Sequence, residues 1–169
     1  IQEQANKIRN SSTLIIDALS EIIEGRSIEA GNHVKRIRLF TKVLLQDAQK
    51  RLPELSLDDN LVELISNASS MHDIGKISIP DQILNKPGKL SPEEFAVMKT
   101  HTTEGCKMLD KLKRIGSEDL LGNKLMISYA YNICRYHHER WDGKGYPDGL
   151  AGDNIPICAQ IVGIADCYD

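Results

Sequence analysis

Apolar residues recur at helical spacing along nearly the whole chain, and that periodicity points to packed helices. Ile8, Ile15, Leu19, Ile22 and Ile23 lie among charged residues, which predicts an amphipathic helix over 1–24 that Gly25 loosens. This segment reads as a linker helix or dimer seam. A second helix is expected from about Ser27 to Leu52, where Pro53 stops it. A third opens at Leu57-Asp58-Asp59, capped by Asp58 or Asp59, with Leu61, Leu64, Ile65, Ala68 and Met71 as its stripe. Residues 74–90 hold Gly75, Pro80, Pro87 and Gly88 and read as turns. Ser91-Pro92-Glu93-Glu94 combines a cap, a proline at the first position and a glutamate three residues on, so a helix starts there, carries His101 and ends near Lys113. Another is expected over Leu120 to His138, followed by the glycine-dense loop WDGKGYPDGLAGDN and a last helix from near Pro156 onward. The 157–164 run is apolar and β-branched, and its flanks allow a buried helix. No internal repeat or low-complexity tract interrupts this all-α pattern.

The 169 residues are one domain's worth, enough to bury a core without disulfides. Net charge is −3, so no basic field recruits nucleic acid polymers, and attraction for an anionic nucleotide has to be local. The cysteines, Cys106, Cys134, Cys158 and Cys167, form no CxxC pair and read as reduced thiols of a cytosolic protein. Cys134 lies three residues before His137, but a small buried apolar role explains it best. No stretch approaches the ~20 apolar residues of a membrane span. The start, IQEQANKIRN, lacks the apolar region of a signal peptide and reads as the interior of a longer chain.

The five histidines are His33, His72, His101, His137 and His138. Any one alone is more simply a surface or satisfied core residue. Their neighbours change the odds. Glu29 and His33 are four apart on an expected helix, stacked ~6 Å apart on one face, the way two ligands of one metal are often delivered. A plain surface pair explains that spacing about equally well. His72-Asp73 closes an apolar helix; adjacent helical residues diverge by ~100°, so the pair can address two metals or straddle one. Gly75 lets the backbone turn and Lys76 sets a cation beside the site that suits a phosphate oxygen. His137-His138-Glu139 follows a helix whose apolar positions imply burial, and consecutive buried histidines are costly without a partner. Asp166, inside the apolar run IVGIADCYD, also needs one. Mixed nitrogen and oxygen donors of this kind suit Fe, Mn, Zn or Ni, and no thiolate motif argues for structural zinc. Two such ions ~3.5–4 Å apart polarise a phosphoryl group and activate a hydroxide, which is phosphodiester hydrolysis.

The segment MHDIGKISIPDQILNKPGKLSPEEFAVMKTHTTEG resembles the HD half of an HD-GYP domain, and YHHERWDGKGYPDGLAGDNIPICAQIVGIADCYD resembles the GYP half. The resemblance covers about residues 25–169, leaving 1–24 as the N-terminal linker or dimerisation helix. It implies an all-helical bundle of the HD phosphohydrolase superfamily with a glycine-rich GYP loop. It also implies a bacterial cyclic di-GMP phosphodiesterase with two or three metals, iron or manganese first, yielding pGpG or GMP. In that likeness His33, His72, Asp73 and Asp166 match the metal set of the wider superfamily. His101, His137 and His138 match the ligands of a second metal, with Asp73 bridging, and Glu29 matches the position that completes a third. Lys76 matches the lysine on the scissile phosphate, and Gly145-Tyr146-Pro147 is the naming motif bordering the substrate pocket. The resemblance further implies a basic segment after Asp169 that grips the second phosphate and a guanine. The expected mechanism is a metal-bridging hydroxide attacking phosphorus in line, with Lys76 and the metals holding the developing charge. Two other functions compete. A mononucleotide phosphohydrolase is disfavoured by the GYP segment. A non-enzymatic sensor of cyclic di-GMP, or a module binding a diguanylate cyclase (GGDEF) domain, is disfavoured because every ligand position is filled.

Overall fold

A computed structural model of the chain describes residues 17–26, 32–115 and 124–169. Helices carry the fold: α1 (17–24), α2 (His33–Arg51), α3 (Asp59–Ser69), α4 (Asp81–Leu84), α5 (Pro92–Lys99), α6 (His101–Ile115), α7 (Lys124–Tyr136) and α8 (Ile157–Tyr168). Short 3₁₀ turns occupy Pro53–Leu55, Ile74–Ser78 and Gly152–Asn154. Among the described residues there is no strand, only an isolated bridge between Asp142 and Ala151.

The expected caps form. The Asp58 side chain accepts from the Leu61 amide at 2.7 Å, and Ser91 and Glu94 make a reciprocal capping box. The apolar run at 157–164 is helical, with Cys158, Ala159, Ile161, Val162 and Ala165 on its buried face. The single helix expected over 91–113 is two helices that break at Thr100. The cause is side-chain competition for carbonyls. The Thr100 hydroxyl donates to the Val97 carbonyl at 2.6 Å, and the His101 ring occupies the Met98 carbonyl at 2.8 Å. The break leaves His101 as the first residue of α6.

α3 and α7 lie at the centre. α3 packs on α2 and α7; α7 packs on α6, α3 and α8; α2 closes on α8. Ile37, Leu45, Val62, Ile65, Leu109, Ile133 and Val162 are fully or almost fully buried between them. Burial of this apolar surface stabilises the bundle by roughly 25 cal/mol per Å² removed from water. Of the segment expected over 1–24, residues 1–16 lie outside the described part. Residues 17–24 pack onto α2 and α3: Asp17 receives the Ser70 hydroxyl at 2.9 Å and pairs with Arg38, while Glu21 pairs with Lys35 at 2.8 Å. No helix among the described residues is long and apolar enough to cross a membrane.

Candidate metal centre

The packing brings helix ends together at one end of the bundle. Glu24 closes α1 and His33 opens α2. His72 and Asp73 follow α3, His101 opens α6, His137 and His138 follow α7, and Asp166 lies in the last turn of α8. Gly75 makes the approach possible. A Cβ there would stand 1.8 Å from the His101 carbonyl oxygen and 2.5 Å from the Gly105 nitrogen, so only glycine lets the Ile74–Ser78 turn lie against the start of α6.

Two groups of donors can each hold an ion. Asp73, His101, His137 and His138 form one; Glu24, His33, His72 and Asp73 form the other, with ligand atoms of each group within 4.8 Å of one another. Asp73 belongs to both. One of its oxygens, Oδ1, lies 3.2 Å from His101 Nε2 and 3.7 Å from His137 Nε2; the other, Oδ2, lies 3.2 Å from His72 Nε2 and 2.7 Å from Lys76 Nζ. Asp166 Oδ1 is 3.5 Å from His33 Nε2 and 3.9 Å from His72 Nε2.

The imidazoles are oriented by their outer nitrogens. His72 Nδ1 donates to the Ser69 carbonyl at 2.9 Å, His101 Nδ1 to Met98 at 2.8 Å, and His137 Nδ1 to Ile133 at 3.0 Å. Each bond fixes the tautomer with the Nε2 lone pair facing inward. His33 Nδ1 instead meets the Asp169 carboxylate at 2.6 Å, and Arg36 clamps that carboxylate from the other side. Inside the cluster, His72 Nε2, His101 Nε2, His137 Nε2 and Asp73 Oδ1 are buried and make no hydrogen bond. Orphaned buried polar atoms carry a desolvation cost, and inward-facing imidazole nitrogens grouped around a carboxylate are the donors that a bound cation takes up. The donor set therefore fits divalent metal.

The two halves differ electrically. Burial pushes the His101 pKa down and His137 well below its ordinary value, and burial with the neighbouring His101 brings His138 to about 4. These three are neutral donors at neutral pH. In the other half Asp166, aided by Asp169 and Glu24, raises His33 against the pull of burial. Burial alone would lower His72, but Asp73 outweighs it and lifts the group to about 9. Burial opposes ionisation of Asp73 and Asp166; the cations His72 and Lys76 hold Asp73 well below its usual range, and His33 with His72 brings Asp166 to about 2. Burial raises Glu24. This carboxylate-rich half attracts positive charge, so a divalent ion entering it displaces protons.

Lys76 is partly exposed beside Asp73. Tyr146 stacks on His138, ring centroids 4.7 Å apart, and its amide donates to the His138 carbonyl at 3.2 Å. The Tyr146–Pro147 peptide is cis. Gly145 abuts Glu139: a Cβ there would lie 2.4 Å from the Glu139 Cα. The loop is tied to α7 by two Arg135–Asp148 bonds of 2.8 Å, and Glu139 Oε1 accepts the Asp148 and Gly149 amides at 2.7 and 3.0 Å.

Of the expected site residues, His33, His72, Asp73, Lys76, His101, His137, His138, Tyr146 and Asp166 come together here. Glu29 lies outside the described residues. Glu24 and Asp169 were not anticipated as site residues. Cys134 is no part of the cluster: it is buried, and its thiol donates to the Thr102 carbonyl.

The family model described as HD domain matches residues 17–169. The chain is 39% identical over 163 residues, 96% of its length, to the 3′3′-cGAMP-specific phosphodiesterase 2 of Vibrio cholerae, covering 28% of that protein. It is 37% identical over 155 residues, 92% of its length, to the cyclic di-GMP phosphodiesterase of Thermotoga maritima, covering 38%. It is 45% identical over 117 residues, 69% of its length, to a cyclic di-GMP phosphodiesterase response regulator of Xanthomonas campestris, covering 28%. The chain thus spans about a third of the length of these curated relatives.

Proposed function

The chain belongs to the HD domain family, in its HD-GYP type, and on that premise we propose that it is a metal-dependent phosphodiesterase cleaving 3′,5′-cyclic dinucleotides, cyclic di-GMP first, to pGpG and GMP. The observation that carries this reading is Asp73, a buried carboxylate shared by two donor groups, with three inward and unbonded Nε2 atoms around it.

His101, His137, His138 and Asp73 would hold one ion, and His33, His72, Asp73 and Asp166 the other, with Glu24 or Glu29 able to extend the count to three. The nitrogen and oxygen donors favour Fe or Mn, with Ni or Zn as other candidates. Bound metals supply Lewis acidity at the phosphoryl oxygens and lower the pKa of water. The chain's own residues do the rest. Burial excludes bulk water around Asp73, which strengthens every charge interaction with the phosphate. The Lys76 pKa is raised, since the adjacent Asp73 outweighs burial, so its ammonium stays charged and can hold a non-bridging oxygen as negative charge develops there. Tyr146, stacked on His138, and the Gly145-Tyr146-Pro147 loop form the pocket wall. The cytoplasm, where thiols stay reduced, is the compartment this reading implies.

A second reading rests on the 39% identical relative named for 3′3′-cGAMP: the same centre acting on the mixed dinucleotide. Both are tested by incubating the protein anaerobically with Fe(II) or Mn(II) and each cyclic dinucleotide and separating the products. Linear dinucleotides or mononucleotides are expected. Their absence with both metals, at two or more ions per chain, overturns the enzyme reading.

A further inference from the structure

Beside the His101 and His138 side of the metal centre lies a group that the metal chemistry does not use. Lys99 Nζ sits 5.4 Å from the centre of the Phe95 ring and 5.8 Å from that of Tyr146. Phe95 meets Tyr146 edge to face at 6.1 Å, and Tyr146 is one stacking layer from His138. Phe95, a large apolar ring, is 46% exposed. Among the described residues no carboxylate lies within ion-pair distance of Lys99, and its ammonium stands over the two rings. An ammonium held on aromatic faces keeps its outward N–H donors for a ligand.

We propose that Phe95, Lys99 and Tyr146 form a base-binding shelf that selects guanine at the nucleotide nearest the metal centre. This rests on the cyclic dinucleotide reading above and names its base preference. Phe95 offers an exposed ring on which a purine stacks, a contact every base can make. Selection comes from Lys99. An ammonium has three donors and no acceptor, so it pairs with an edge made of acceptors. Guanine presents N7 and O6 together, whereas adenine presents N7 beside an amino donor that a cation repels. The shelf accordingly accepts cyclic di-GMP and the guanine half of 3′3′-cGAMP, and rejects cyclic di-AMP. Phe95 and Lys99 are four apart on α5, so the break at Thr100 fixes the shelf against the start of α6 and His101.

The test compares the metal-loaded protein with its Lys99→Met, Lys99→Arg and Phe95→Ala variants on cyclic di-GMP, 3′3′-cGAMP, cyclic di-AMP and bis(p-nitrophenyl) phosphate, which carries no base. Metal content is measured for each, and GMP and AMP binding is followed by calorimetry. The unchanged protein is expected to favour cyclic di-GMP over cyclic di-AMP in kcat/KM by about tenfold or more. Lys99→Met should bring the two within about threefold, while Lys99→Arg keeps the preference. Phe95→Ala should lower kcat/KM on all three cyclic dinucleotides about tenfold more than on bis(p-nitrophenyl) phosphate. Turnover of the cyclic dinucleotides with no guanine preference, or with a preference that survives Lys99→Met, overturns the shelf and leaves the enzyme reading standing. If no cyclic dinucleotide is cleaved, the enzyme reading falls. The shelf then stands only if GMP binds more tightly than AMP and Lys99→Met removes the difference. Equal binding overturns it as well.

Discussion

Asp169 shows how one side chain can govern a centre it does not enter. It meets His33 Nδ1 at 2.6 Å and is itself gripped by Arg36, so the ring is aimed and its Nε2 made more basic. The Asp169 pKa, lowered first by Arg36 and with His33 adding, is about 2, so the carboxylate is ionised wherever the protein works. Asp169→Ala is expected to weaken metal retention about 10–100-fold at the His33 end, a typical cost of losing an outer partner of a ligating histidine. Metal titration with elemental analysis checks this, and unchanged retention would remove Asp169 from the centre. His33, His72, Asp73, His137 and His138 were readable in the chain because each stands near another donor or in a run whose apolar pattern forecasts burial, whereas His101, set among threonines, was legible only through the resemblance to the HD half. Asp169 and Glu24 were not. Asp169 ends an apolar run as a helix-end carboxylate does, and Glu24 looks like one more charge on an amphipathic helix. Only the closing of α8 and α1 onto α2 turns them inward.

Helix ends, rather than helix interiors, build this centre, and the joints between helices decide its geometry. Gly75 is the tightest joint: a side chain there would drive into the His101 carbonyl and the Gly105 amide, both backbone atoms of α6 that cannot swing aside. Gly75→Ala is therefore expected to destabilise the fold at the upper end of overpacking, about 3 kcal/mol, and to displace His101. A lowered melting temperature together with loss of about one ion per chain is the expected result. An unchanged melting temperature and full metal content would show that α6 yields without harm. The caps at Asp58 and Ser91 were legible because capping chemistry is local. The break between α5 and α6 was not. Thr100 and His101 are tolerable inside a helix taken alone. They end one here because their side chains take the Val97 and Met98 carbonyls, the latter for the sake of a histidine that must face the centre.

Across the bundle, α1 is wired both to the donor cluster and to the turn that carries Lys76. Glu24 stands among the donors, and two residues later the Arg26 guanidinium reaches the carbonyls of Ile77 at 2.8 Å, Ile79 at 3.2 Å and Lys76 at 3.4 Å, and the Asp81 carboxylate at 2.7 Å. Asn85 returns a bond of 2.8 Å to the Arg26 carbonyl. A planar cation that donates to three carbonyls and a carboxylate holds the Ile74–Ser78 turn, and Lys76 with it, at a fixed distance from α1. Anything that moves α1 therefore moves Glu24, a proposed ligand, and Lys76, the lysine proposed to hold the phosphate, together. Arg26→Ala leaves every proposed ligand in the chain yet cuts this tie. The expected outcome is about tenfold weaker metal retention at the Glu24–His33–His72 end, with the His101–His137–His138 end retained. Faster hydrogen exchange at the Ile79 amide, which bonds to the Lys76 carbonyl, should accompany it. Equal loss at both ends would mean that the substitution loosens the whole bundle. No loss at either, with exchange at Ile79 unchanged, would mean that α1 rests on the centre without being coupled to it.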